Sequence, residues 1–229
     1  MKILCIIPAR GGSKGIPGKN IIDVKGKPLI SYSIEPAIEA MKIGIIDKVI
    51  VSTDSREIAD ISKSYGAEVP FFRPDSISGD KAKSVEFISH AIEFYKNIGI
   101  EYDAVLLLQP TSPLRTMEDL SNAVKMFLDS NNDSLISAYE EEYINDLVIY
   151  KLSADGKTSI PVNELHNKGV RRQDHGSLYV RNGCIYISKV SLINQGFVIG
   201  ETPLIYVMDK NKSVNVDTLE DLELLRKLI

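Results

Sequence analysis

Residues 3–20 read ILCIIPARGGSKGIPGKN, an apolar run followed at once by a loop rich in glycine and in cations. Residues 3–7 predict a buried strand, and no polar residue separates that strand from the loop. In an open α/β sheet, the ligand binds outside the carboxyl ends of the strands. Glycine lets backbone N–H groups approach a phosphate closely, and Arg and Lys supply positive charge to its oxygens. The stretch therefore predicts an α/β fold whose first loop holds an anion, in particular a polyphosphate.

Two familiar phosphate-binding patterns do not fit this loop. A Walker loop has Gly, four residues, and then Gly-Lys-Ser/Thr, whereas Gly18-Lys19 is followed by Asn20 and Ser13 stands where the first glycine belongs. The dinucleotide pattern Gly-x-Gly-x-x-Gly fails because Ser13 stands two places after Gly11. A basic surface loop that merely turns the chain is the alternative without a ligand. The position of the cluster at the end of a buried strand favours the anion site.

Short apolar runs alternate with amphipathic helical patterns along most of the chain. The predicted strands are residues 3–7, 48–51, 67–72, 104–108 and 134–138. Ser55 and Thr116 indicate helix starts, and Gly66 and Gly99 indicate helix ends. This alternation predicts one mostly parallel sheet with helices on both faces.

The composition limits the class of protein. A chain of 229 residues with 44% hydrophobic and 25% charged residues is expected to form a single domain over residues 1–229. It contains no apolar run near about eighteen residues and no charged-then-apolar leader, which predicts a cytoplasmic protein without a membrane span. The net charge of −4 predicts no affinity for nucleic acid, so the basic loop indicates a small anionic ligand. Cys5 and Cys184 lie in apolar runs and are expected in the core.

The alternating pattern stops at residues 139–179. This stretch is too long for a plain loop in a compact domain, so it predicts a small inserted subdomain. Within it, Asp155-Gly156 between two apolar runs predicts a hairpin turn. The strand pattern resumes at residues 183–187, and residues 218–228 predict a final helix. Its inner stripe is expected to carry Leu219, Leu222, Leu225 and Leu228.

Further motifs follow the glycine-rich loop in order along the chain. They are Val51-Ser52-Thr53-Asp54, Arg73-Pro74, residues 78–84, residues 108–115 (LQPTSPLR), Arg172-Gln173, Asn182-Gly183 and Asn215-Val216-Asp217-Thr218. Together with the loop pattern Pro-Ala-Arg-Gly-Gly-Ser-Lys-Gly-x-Pro-x-Lys-Asn, they resemble the cytidylyltransferases that activate sialic acid and related nine-carbon acidic sugars. The resemblance spans nearly the whole chain.

The resemblance implies an activity and a Rossmann-like sheet of the nucleotide-diphospho-sugar transferase type. The implied reaction transfers CMP from CTP to the anomeric hydroxyl of the sugar and releases pyrophosphate. Such an in-line displacement at the α-phosphorus needs positioned groups and neutralised charge. The resemblance also implies Mg²⁺ as the cofactor and a homodimer in which the insertion at about 139–179 reaches over the partner's active site.

The resemblance also assigns roles to residues of the predicted site. The implied catalytic residues are Lys19, Arg10 and Asp217, and Lys19 is the candidate for stabilising charge at the α-phosphoryl group. The implied nucleotide contacts are Arg10, Gly11, Ser13, Lys14, Asn20, Arg73, Ala82 and Ser84. For the sugar, Gln109 directly follows a predicted strand at the carboxyl edge of the sheet, and Arg172 resembles the family arginine near the sugar carboxylate.

The metal motif departs from the family pattern Asp-x-Asp. Here it is Asn215-Val216-Asp217, so Asp217 is the expected carboxylate ligand and Asn215 offers a neutral carbonyl. Asp217 can alternatively cap the last helix. Arg115, just before a helix start, is assigned to an internal salt bridge and left out of the site.

Several alternatives for the function stay open. N-acetylneuraminate is the first choice of sugar, and legionaminate and pseudaminate are the alternatives, because Leu147 and His175-Gly176 depart from the family at the sugar end. A shorter acid such as 3-deoxy-manno-octulosonate is disfavoured, since that family's Ser-Thr-Arg-Leu-Pro pattern is absent. A catalytically inactive nucleotide-binding protein is a further alternative, which Asn215 alone supports.

Overall fold

The computed structural model describes residues 1–13, 15–142, 144, 146–169 and 176–229. Its strands are β1 (Ile3–Pro8), β2 (Asp23–Val24), β3 (Lys27–Pro28), β4 (Lys48–Ser52), β5 (Ala104–Leu107), β6 (Ser134–Glu141), β7 (Tyr150–Leu152), β8 (Ser159–Pro161), β9 (Leu178–Lys189) and β10 (Leu204–Val207). Its α-helices are α1 (Ser31–Lys42), α2 (Arg56–Ser64), α3 (Ser84–Asn97), α4 (Met117–Leu128), α5 (Val190–Ile193) and α6 (Leu219–Leu228). Short 3₁₀ helices lie at Lys19–Ile21, Asp75–Ile77, Asp146–Val148 and Lys210–Lys212.

A six-stranded central sheet has the order β10-β6-β9-β5-β1-β4. Strand β1 pairs in parallel with β4 and β5, and β10 pairs in parallel with β6. Strand β9 runs antiparallel to both of its neighbours, β5 and β6. The predicted α/β class with a mostly parallel sheet is confirmed.

Both faces of the sheet are covered by helices. Along β1, Ile3, Cys5 and Ile7 belong to one buried cluster with residues of α1 and α4. The alternate residues Leu4 and Ile6 belong to a second cluster with residues of α3 and α5. A parallel strand that is buried on both faces is continuously apolar, which is why residues 3–7 could be recognised as a strand.

A third apolar cluster holds the glycine-rich loop against α6. Its buried members are Ile16, Val24, Leu29, Val216, Leu222 and Leu225. The predicted inner stripe of α6 is wrong at its ends, since Leu219 and Leu228 are exposed. A spacing of three residues drifts from the helical period, so these two leucines lie about 90° from the middle of the buried stripe.

Several local predictions are confirmed. The side chain of Ser55 caps α2 and that of Thr116 caps α4, while Gly66 and Gly99 follow helix ends with φ of 93° and 79°. In the predicted hairpin, β7 pairs antiparallel with β8. Both cysteines are free and buried.

Two strand predictions differ from the structure. Residues 67–72 form only two isolated bridges to the sheet, Ile50–Glu68 and Thr53–Phe72, within the described chain. Strand β9 extends well beyond the predicted residues 183–187. Its first part was not predicted because those residues are largely exposed and lack a continuous apolar pattern. Among the described residues, none of the helices combines the length and apolar character that a bilayer crossing needs.

Candidate functional site

A cavity of about 630 Å³ lies at the carboxyl edge of the central sheet. Pro8, at the end of β1, and Gln109, just after β5, both line it. The predicted nucleotide contacts that line the cavity are Arg10, Ser13, Asn20, Arg73, Ala82 and Ser84. The other predicted site residues that line it are Lys19, Gln109, Asn215 and Asp217. The fold thus gathers residues from distant parts of the sequence around one cavity.

One candidate of the described chain, Gly11, stands apart from this group. Gly11 does not line the cavity, and its N–H donates to Asp54 Oδ1 at 2.7 Å. In this conformation, therefore, the Gly11 N–H is directed at a side chain that shapes the loop. Lys14 and Arg172 lie outside the described residues, so their assigned roles stay predictions.

Lys19 links the glycine-rich loop to the metal motif. It is the first residue of the 3₁₀ helix Lys19–Ile21, and the N-cap residue of this helix is Gly18, with a φ of 63°. Its Nζ donates to Val216 O at 3.0 Å and to Asp217 Oδ1 at 2.8 Å. The Lys19 side chain is 14% exposed and that of Asp217 is 60% exposed, so the pair has one sheltered member and one open to solvent.

Gly15 makes the approach of these two segments possible. A Cβ atom at this position would lie 2.6 Å from the backbone oxygen of Asp217. Real Cβ atoms essentially never come this close to another heavy atom. The loop therefore needs glycine here for close packing against the metal motif.

Arg10 contacts a carboxylate that the sequence analysis did not assign. Its Nη1 lies 2.7 Å from Asp80 Oδ1, and Asp80 lines the same cavity. Asp80 belongs to the motif at residues 78–84, but a lone carboxylate in a motif does not reveal its partner. In the structure, Arg10 and Lys19 thus each contact a carboxylate at the cavity.

Two nucleotide candidates also have structural contacts. The Asn20 amide donates to Arg10 O at 3.0 Å and so holds the loop closed. Arg73 donates to Ser52 Oγ at 3.1 Å and to Ser52 O at 2.6 Å, and its guanidinium lies 4.5 Å from the centre of the Phe87 ring. Burial lowers the pKa of Arg73 to about 10, so the side chain stays charged at neutral pH. Phe87, which also lines the cavity, was missed because an apolar residue at helical spacing is typical of a core.

Gln109 is held next to Gly183. A Cβ at Gly183 would lie 2.9 Å from Gln109 Oε1, and the φ of 78° at Gly183 is itself a conformation that favours glycine. Ser112 Oγ donates to Asn182 O at 3.3 Å, which fixes the same two segments to each other. The Asn182-Gly183 motif therefore shapes the wall beside the Gln109 amide.

The metal motif presents one carboxylate at the cavity. The amide of Asn215 donates to Asp217 Oδ2, and Lys19 donates to Oδ1. Within the described ranges, no cluster of three or more His, Cys, Asp or Glu residues could hold a metal. Mg²⁺ keeps several waters and takes phosphate oxygens, so a single exposed carboxylate with a neighbouring amide oxygen fits this ion.

Asp217 is not the cap of the last helix. Thr218 is the N-cap of α6, where Asp221 N donates to Thr218 Oγ1 at 3.2 Å and Thr218 N donates to Asp221 Oδ2 at 2.8 Å. The alternative role considered for Asp217 is therefore wrong. The Asp217 carboxylate is separate from the capping interactions of α6.

Arg115 differs from its expected role as a salt-bridge residue. Its described hydrogen-bond partners are backbone carbonyls and a hydroxyl, not carboxylates. Two of these carbonyls, those of Gln109 and Ser112, belong to the turn that follows β5, and Gln109 in that turn lines the cavity.

Comparisons with known proteins identify the family of the chain. The family described as "Cytidylyltransferase" matches residues 4–229. The chain is 38% identical over 224 residues to the pseudaminic acid cytidylyltransferase of Campylobacter jejuni subsp. jejuni serotype O:2, covering 97% of this chain and 94% of that protein. It is 35% identical to the N-acylneuraminate cytidylyltransferase of Escherichia coli O18:K1:H7, covering 97% of this chain and 51% of that protein.

A solved structure shares the fold over the full length of the chain. It is a CMP:2-keto-3-deoxy-manno-octonic acid synthetase complexed with CTP, with a TM-score of 0.71 and 18% identity, covering 100% of this chain and 98% of that chain. At this identity, the likeness concerns the fold alone. The family resemblance given by the sequence motifs is confirmed by the sequence matches.

Proposed function

Because the chain belongs to the cytidylyltransferase family, we propose that it transfers CMP from CTP to the anomeric hydroxyl of a nonulosonic acid and releases pyrophosphate. The observation that carries the proposal is the contact between Lys19 and Asp217. It brings a cation of the glycine-rich loop and the carboxylate of the metal motif together at one cavity. A triphosphate needs both a cationic loop and a hard-cation ligand.

The two cations of the described loop act on the triphosphate. Lys19 and Arg10 donate to phosphate oxygens after their present partners, Asp217 and Asp80, give way to the more highly charged ligand. Lys19 stabilises the charge that develops at the α-phosphoryl group, which we place among the main contributions to the rate. Asn20 and Asp54 keep the loop in the shape that presents these groups.

Asp217 would hold a magnesium ion in this proposal, and the amide oxygen of Asn215 would offer a neutral ligand beside it. The bound ion would neutralise phosphate charge beside Lys19. Asp217 suits this task because its carboxylate is exposed at the cavity and takes no part in capping α6. The amide of Asn215 donates to that carboxylate and helps to hold it in place.

The sugar lies on the Gln109 side of the cavity. The Gln109 amide both donates and accepts hydrogen bonds, which suits a polyhydroxylated substrate. Arg172 is assigned to the sugar carboxylate, since a guanidinium pairs with a carboxylate through two hydrogen bonds. The 38% identity to a pseudaminic acid cytidylyltransferase ranks pseudaminate ahead of N-acetylneuraminate as the first sugar to test.

We also propose a homodimer formed by the insertion at about 139–179. The hairpin of β7 and β8 stands apart from the central sheet and exposes large apolar side chains. These are Tyr150, Leu152 and Ile160, and Val148, just before β7, is exposed as well. A second copy of the chain would cover an apolar surface that the fold leaves open.

The experiment is a substrate panel with purified protein, CTP and Mg²⁺. The acceptors are pseudaminate, N-acetylneuraminate, legionaminate and 3-deoxy-manno-octulosonate, and CMP-linked products are identified by mass spectrometry. We expect a CMP adduct with at least one of the three nine-carbon acids. CTP binding without product from any acceptor would instead support the inactive nucleotide-binding alternative.

A further inference from the structure

Arg115 is a buried cation that the proposed reaction does not use directly. It is 3% exposed, and burial lowers the pKa of its guanidinium to about 10, which leaves it charged at neutral pH. Placing a charge in a core is costly unless hydrogen bonds compensate it. The hydrogen-bond acceptors around Arg115 therefore identify the segments that its guanidinium holds together.

The guanidinium clamps the turn at residues 109–112 to α1. Nη1 donates to Ser112 O at 2.6 Å, and both Nη1 and Nη2 donate to Gln109 O, at 3.1 and 2.6 Å. Nη2 also donates to the hydroxyl of Ser33 in α1 at 2.8 Å. Both ends of the turn are thus tied to one rigid, planar group.

This turn is connected both to Gln109, the candidate sugar contact, and to the metal motif. On one side it carries the Gln109 amide, which contacts the wall at Gly183. On the other side, Val216 N donates to Thr111 O at 2.7 Å, and Val216 lies between Asn215 and Asp217. A displacement of the turn would therefore move the amide and the metal motif together.

We propose that Arg115 is a positioning residue that, through the turn at 109–112, fixes the Gln109 amide and the Asp217 carboxylate relative to each other. The inference rests on the proposed function, because the sugar and the metal give those two groups their roles. Lysine cannot substitute fully for arginine here. A single ammonium lacks the planar fork that contacts three acceptors in fixed directions.

The test compares Arg115→Met, Arg115→Lys and Ser33→Ala with Ile193→Ala. Ile193 is buried in the cluster on the other face of the sheet, so its truncation controls for general destabilisation. For each variant we would measure the thermal midpoint, kcat and KM for the sugar, and the Mg²⁺ concentration at half-maximal rate. Calorimetric titration of CTP, with and without Mg²⁺, adds a readout that needs no turnover.

We expect kcat/KM for the sugar to fall by about a hundredfold in Arg115→Met, the loss typical of a misplacement near 1 Å. Arg115→Lys should recover part of this loss, and Ser33→Ala should show a smaller loss of the same kind. The Mg²⁺ requirement should rise in all three variants. CTP binding without Mg²⁺ should stay as in wild type, while the gain in CTP affinity on adding Mg²⁺ should shrink.

The inference would be overturned if the Arg115 and Ser33 variants had a lower thermal midpoint but wild-type kcat/KM for the sugar and a wild-type Mg²⁺ requirement. This is the pattern expected for Ile193→Ala. If neither Arg115 variant folds, Ser33→Ala decides by the same two measurements. Absence of product from wild-type protein with every sugar would overturn the proposed function, and this inference with it.

Discussion

The substitution Gly15→Ala tests the close packing of the glycine-rich loop against the metal motif. A Cβ at Gly15 would lie 2.6 Å from the backbone oxygen of Asp217, whereas ordinary contact begins at 3.4 Å. The loop or residue 217 must therefore move by about 0.8 Å, the difference between these distances. Because the contacted atom belongs to the backbone, no side-chain rotation can relieve the clash.

The size of the expected effect follows from this displacement. Misplacement of a catalytic group by about 1 Å costs on the order of a hundredfold in rate, so we expect kcat/KM to fall by about ten- to a hundredfold. Overpacking also lowers the free energy of unfolding by roughly 1–3 kcal/mol. The loss should be visible in kcat and in the Mg²⁺ concentration at half-maximal rate, because the displaced segment carries Asp217.

Gly12→Ala is the matched control in the same loop. A Cβ at Gly12 meets nothing within 4 Å, so activity should stay within a few-fold of wild type. Both variants would be assayed by pyrophosphate release with CTP, Mg²⁺ and the accepted sugar, well below their thermal midpoints. If Gly15→Ala matched Gly12→Ala in kcat and Mg²⁺ requirement, the packing argument would be refuted.

Three further predictions concern charge, metal and assembly. Lys19→Ala should lower kcat by about a hundredfold, with a smaller effect on CTP affinity. Steady-state rates measure kcat, and CTP titration measures the affinity. A kcat within a few-fold of wild type would show that Lys19 takes no part in the chemical step. Asp217→Asn should nearly abolish turnover at an almost unchanged thermal midpoint, while Asn215→Asp should stay active and need less Mg²⁺. An active Asp217→Asn enzyme with unaltered Mg²⁺ dependence would contradict the metal assignment. Light scattering at micromolar concentration should give about twice the chain mass of 25.4 kDa, and a fully active monomer would rule out the dimer.

The central strands and helix caps could be predicted because their signals are local. A strand buried on both faces is continuously apolar, as residues 3–7 show, and a cap such as Thr116 is followed by its partner Asp119 within one turn. The first part of β9 gave no such signal. Its residues pair with β6 at the exposed end of the sheet, so pairing rather than burial defines the strand.

The candidate site could be predicted as a set of residues but not as a set of contacts. Motifs indicated most of the cavity lining, whereas the partners of Arg10 and Lys19 are 70 and 198 positions away along the chain. Which carboxylate meets which cation depends on how the segments pack. The role of Arg115 was misjudged for the same reason, because its acceptors are two backbone oxygens and the hydroxyl of Ser33, 82 positions away along the chain.

The most direct test of the account is the stoichiometry of the wild-type reaction. With CTP, Mg²⁺ and a nine-carbon acidic sugar, pyrophosphate and the CMP-linked sugar would be quantified in the same reaction mixture. The account predicts that the two products appear together in a ratio of about one to one, and that neither forms when the sugar is left out. Pyrophosphate release without a CMP-linked sugar, or no turnover with any of the nine-carbon acids, would contradict it.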